Sequence, residues 1–202
     1  MKDQDYLKDI QDIKTLMNRS TQFLSLSGMA GVLAGVYALI GSFIAFNLMT
    51  VHRGYYITLE SSTFRYIVII AAAVLLLSLA TAIFFTIVKA RKNGETVWNS
   101  TSRRLLINFL IPLVTGGIFA LLLLRNQHYG LIASVTLIFY GLACVNASKF
   151  TVRDVRYLGI TIIVLGLLAS TFPGYALLFW ALGFGVCHII YGAIMYYKYD
   201  RK

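Results

Sequence analysis

Few side chains in this chain combine reactive chemistry with apolar surroundings: His188, Cys187, Cys144, Asn146, Asn108, Tyr140 and Tyr191. An imidazole set in apolar sequence is a titratable or ligand-binding group. With His188 at its centre, Asn146, Asn108, Tyr140 and Tyr191 would complete a polar cluster opening towards one face of a membrane. The same residues have a plainer use in hydrogen bonding between packed helices, and for isolated Asn and His that use is the commoner one. Defined catalytic machinery fits less well. A haem held by two histidines needs a second one inside the apolar sequence, and His52 and His128 both fall outside it. Zinc normally takes four ligands. Cys144, Cys187 and His188 supply three at most, and adjacent residues on a helix project about 100° apart. No HExxH, GxSxG or P-loop pattern occurs. The chain therefore reads as non-enzymatic, with no catalytic residues, no metal and no cofactor expected. The two cysteines read as small apolar side chains, without a disulfide.

The elements that carry these residues follow from composition. The 202 residues are 58% hydrophobic and 13% charged, whereas a soluble domain has about 25% charged residues. Six apolar runs, 23–49, 65–88, 105–124, 130–148, 156–172 and 174–196, contain no acidic residue. A hydrocarbon core of about 30 Å takes roughly 20 residues of helix. Barrel strands would alternate polar and apolar, and these runs do not. Helices also satisfy every backbone group within the segment, as lipid requires. The expected fold is all-α: a polytopic integral membrane protein with six transmembrane helices arranged as three hairpins. The fifth run is short, roughly 17 residues or 25 Å, and Arg153 and Arg156 would reach the interface from its end. Phe172-Pro173-Gly174 makes a tight turn between the last two runs.

Charge gives the orientation. Fifteen of the eighteen Lys and Arg fall in the N-terminal tail, the second and fourth connections and the C-terminal tail, leaving Arg53, Arg65 and Arg125 on the other side. Cations favour the cytoplasmic face, so both termini are expected there. The same bias accounts for the net charge of +10. It reads as attraction to anionic headgroups, and no nucleic-acid-binding motif offers another use for it. Expected partners are the lipid bilayer and a protein partner or a second copy of the chain, with no nucleic acid.

Residues 1–22 form a unit separate from the six-helix domain 23–202. Tyr6, Ile10, Ile13 and Met17 recur at helical spacing, with Leu7 and Leu16 beside them, and four acids balance four bases. This is an amphipathic helix for the membrane surface, for the protein's own loops or for a cytoplasmic partner. The four Asp among the first twelve residues do not fit a cleavable signal. On the other side, Glu60 would pair with Arg53, Arg65 or Arg125. In the first run Gly28, Gly31, Gly35, Ala38, Ser42 and Ala45 line one narrow face at spacings of 3 and 4. Small residues let helices approach closely, and the neighbour is either a helix of this chain or one of another copy. Ala181 and Gly185 offer a second such contact. An offset of 51 relates Tyr140-Gly141 to Tyr191-Gly192, which suggests that the second and third hairpins are duplicated.

The stretch Asn146-Ala147-Ser148-Lys149, then Arg156-Tyr157-Leu158-Gly159, and the ending from Phe184 to Gly192 (FGVCHIIYG) resemble small six-helix proteins of the bacterial, Bacteroidota-type inner membrane. The resemblance covers about the last sixty residues. It implies a bacterial inner membrane and carries over no functional residue. Three functions stay open: association as a subunit, scaffold or regulator of a membrane complex; a small channel or carrier for a neutral or weakly charged solute; and lipid binding.

Overall fold

The structure is a computed structural model that describes residues 23, 25–51, 61–94 and 96–201. The amphipathic segment 1–22 and the loop 52–60 with Glu60 lie outside the described residues. What is described is helical, without a strand among those residues, and contains six helices long and apolar enough to cross a membrane. The chain is thus a multi-pass membrane protein. The helices are α1 (Gly28–Val51), α2 (Ser62–Lys92), α3 (Ser100–Arg125), α4 (Tyr129–Phe150), α5 (Asp154–Thr171) and α6 (Pro173–Asp200).

Several helices extend beyond the apolar runs because polar residues finish them. Ser61 caps α2, its hydroxyl accepting from the Phe64 amide, and Lys89, Arg91 and Lys92 fill the last turn, where cations complement the helix dipole. Asn99 and Ser102 form a reciprocal capping box at the start of α3. Conversely, α1 starts only at Gly28. The Phe23 amide before it donates to the Phe150 carbonyl at 2.8 Å, and the Thr151 hydroxyl donates to the Phe23 carbonyl at 2.8 Å. These bonds fasten the entry to α1 onto the α4–α5 connection, with Phe23 and Thr151 both buried.

Close packing follows the small residues. α1 lies along α6, and α4 lies along α5. A Cβ on Gly35 would stand 2.6 Å from the Gly185 carbonyl oxygen, and one on Gly141 would stand 2.6 Å from that of Gly159. At these two crossings one backbone rests on another. α3 packs on α4, and α6 joins the α4/α5 pair to α1. α2 packs along α1 and makes no extended contact with α3, its neighbour in sequence. The apolar core centres on Leu137, Leu158, Ile162 and Ala169, from α4 and α5, with α6 aromatics packed against it.

The last helix is not uniform. Ala181–Cys187 is wound as π-helix, as is Tyr196–Asp200. Such wide turns are rare and recur where a helix carries something besides packing.

Candidate functional site

The five polar residues singled out in the sequence do not share one site. They fall into two interhelical links and one separate tyrosine. In the first link, Tyr140 of α4 meets His188 of α6, with the hydroxyl 2.8 Å from Nε2. The other ring nitrogen, Nδ1, lies 3.0 Å from the Gly183 carbonyl, five residues back across the π turn. A carbonyl oxygen only accepts, so Nδ1 carries the proton. In a neutral ring Nε2 is then the acceptor and the Tyr140 hydroxyl donates. The imidazole is 7% exposed, and both its nitrogens are used. Aromatic rings enclose it: Phe184 stacks on His188 at 5.9 Å, Tyr140 lies 5.0 Å from Phe184, Trp180 lies 4.8 Å from Phe184, and Phe109 of α3 meets Tyr140 edge-on at 5.9 Å. Trp180, Phe184 and His188 recur every four residues, so one face of α6 supplies three of the five rings.

The second link repairs a helix. Pro112 sits inside α3 and has no amide proton to give the carbonyl four residues earlier. That carbonyl belongs to Asn108. The Asn146 side chain of α4 donates to it at 2.8 Å, replacing the missing backbone bond from a neighbouring helix, as proline inside lipid requires. The Asn108 side chain turns to its own helix and donates to the Arg104 carbonyl at 2.8 Å. Lys149 then approaches the Asn146 side-chain oxygen at 3.4 Å. Asn108 and Asn146 are thus neighbours through a backbone atom that neither side chain reveals. Tyr191 stands apart from both links, its hydroxyl 3.3 Å from that of Thr161 on α5. No hydrogen bond joins the two links among the described residues.

The stripe of small residues faces the same chain. Gly28, Gly31 and Gly35 lie against the backbone of α6 around Gly185, Gly192 and Tyr196. Ala38, Ser42 and Ala45 continue it as buried residues, with the Ser42 hydroxyl donating to the Ala38 carbonyl at 2.7 Å. Gly185 itself packs on Leu39 of α1.

One constellation was not read from the sequence. Asp200, at the end of α6, accepts from the Gly28 amide at 2.8 Å and from the Ser27 hydroxyl at 3.2 Å through Oδ2. Its Oδ1 takes the Lys89 ammonium of α2 at 2.6 Å, and Lys89 also donates to the Leu26 carbonyl at 2.8 Å. The two side chains are only 14% and 10% exposed. One carboxylate therefore caps α1 and ties α2 and α6 to it. A looser counterpart joins Lys198 and Tyr199 to Asp154 at 3.0 and 2.8 Å. The available signal was scarcity: Asp154 and Asp200 are the only acids after Glu95, and each is engaged by a cation.

Chemically, both intramembrane links are closed. Each polar atom of His188 has a partner, and Asn146 is held between the Asn108 carbonyl and Lys149. Among the described residues, no group of three His, Cys, Asp or Glu is placed to hold a metal ion. Cys144 and Cys187 are free thiols. No family model, curated protein or solved structure matches this chain.

Proposed function

We propose that this chain is a non-enzymatic protein of a bacterial inner membrane that works by association, as a subunit, scaffold or regulator of a membrane complex. In this reading its six helices form three hairpins and both termini face the cytoplasm. The observation that carries the reading is the use of the intramembrane polar groups. His188, Asn146 and Asn108 are engaged by neighbouring helices or by their own backbone, so the side chains best suited to a ligand serve assembly. The orientation is supported by the excess of cations on one side. The start of α1 and the end of α6 meet at one end of the bundle, through Gly28 and Asp200.

Native mass spectrometry of the protein, taken from its own membrane into lipid nanodiscs, tests the proposal. The expected result is a stoichiometric second polypeptide. A monomer or homo-oligomer that carries only lipid or a small molecule would overturn it and turn attention to the carrier and lipid-binding readings. Repeating the capture without residues 1–20 would then show whether the N-terminal segment makes the contact.

A further inference from the structure

α2 buries residues only near its ends and lies along α1, exposed on its other faces, between them. Its two buried residues, Thr63 and Ala90, stand in its first and last turns. At the outer end, Phe64 meets Tyr129 edge-on with ring centroids 5.9 Å apart. At the inner end, Lys89 binds Asp200 and the Leu26 carbonyl. Between these points α2 rests on α1, where Gly41 receives Val74 and Ile70 and the Thr81 and Tyr37 hydroxyls lie 3.4 Å apart. No residue of its most apolar 18-residue stretch is buried.

Lipid tails are as apolar as these side chains, so apolar contact with α1 scarcely distinguishes a docked α2 from one surrounded by lipid. The polar bonds must then decide its position. An ion pair screened from water at both partners, with a further bond to a backbone carbonyl, is the strongest of those among the described residues. We propose that α2 is a hinged strap, with its outer end as the pivot and the Lys89–Asp200 pair as the latch. Opening the latch lets the inner half of α2 leave α1 and α6. Because Asp200 also caps Gly28, the latch reports on whether α1 and α6 are correctly joined.

Two pairs of spin labels in nanodisc-embedded protein read the movement. Val88 and Tyr197, exposed on the inner parts of α2 and α6, form the inner pair, and Tyr66 and Tyr175 form the outer pair. In Lys89→Met and in Asp200→Asn the inner distance is expected to lengthen by several ångströms, a sizeable part of the roughly 8–10 Å that separates packed helix axes, and to broaden. The outer distance stays as in the wild type, and Lys89→Arg keeps both. Asparagine at 200 can still accept from Gly28 and Ser27, so that variant separates the ion pair from the cap. Inner distances equal to wild type in both variants would overturn the proposal. So would a change in only one of the two variants, because each of them removes the same ion pair. If neither variant assembles as a monodisperse particle, the pair holds the fold together and α2 is not a movable strap.

Discussion

α2 and α4 invert the rule that governs soluble proteins. α2 is the more apolar of the two, with a mean hydropathy of 2.9 over its best stretch against 1.8 for α4, yet none of that stretch is buried, against 39% for α4. In water the more apolar element goes inside. In a bilayer the solvent is itself apolar, so leucines gain little by leaving it, and the interior goes to residues that let backbones meet or that need a partner. Five of the seven residues that α4 buries are small or polar, Ser134, Gly141, Ala143, Cys144 and Ala147, beside Val135 and Leu137, while α2 exposes Leu75, Leu76, Leu77 and Leu79. Small residues line the helix crossings around the aliphatic core of Leu137, Leu158 and Ile162, and apolarity alone does not send a helix inside.

That contrast can be broken most severely at the α4/α5 crossing. Gly141→Leu would put its Cβ 2.6 Å from the Gly159 carbonyl and 3.0 Å from the Ile163 amide, both backbone atoms. Overpacking against atoms that cannot yield is expected to cost about 3 kcal/mol or more. Thermal unfolding in lipid should show it, or the protein should lose its monodisperse form. A smaller loss is expected for Asn146→Leu, which leaves the Asn108 carbonyl bare in an apolar setting, at about 1–2 kcal/mol. Pro112→Ala would restore the missing amide proton, so the same change should be milder in that background. A double-mutant cycle measures this coupling, and strict additivity would refute the repair. Tyr140→Phe removes the donor to His188 Nε2 and should cost about 1 kcal/mol by reversible unfolding. At the other extreme Leu76, 65% exposed on α2, should tolerate Ala within about 0.5 kcal/mol. If Leu76→Ala proved as damaging as Tyr140→Phe, α2 would have a protein neighbour on that face.

Two backbone carbonyls that bond side chains add a second lesson. Pro112 removes a donor from α3, and Asn146 supplies one from α4. In α6 the Gly183 carbonyl accepts a hydrogen bond from the His188 ring of the same helix. In both cases a polar residue that looks like a ligand in the sequence is answering a backbone atom. His188 and Asn146 were legible as unusual, because an isolated imidazole or amide stands out in an apolar run. Their partners were not legible, because a main-chain carbonyl has no letter of its own. Pro112, four residues after Asn108, was the available clue.

Composition and run length determined the number of helices and their nature, because the thickness of the hydrocarbon core and the need to bond every peptide group leave little choice. The small-residue stripe on α1 was equally plain, since its spacing is a property of one helix. Which helix that stripe meets was decided only in three dimensions, by the fit of Gly35 to Gly185. So were the pairing of Tyr140 with His188 and the capture of Lys89 and Gly28 by Asp200. Each joins residues far apart in the chain, and local sequence encodes what a side chain can bond without encoding which distant partner the packed bundle brings to it.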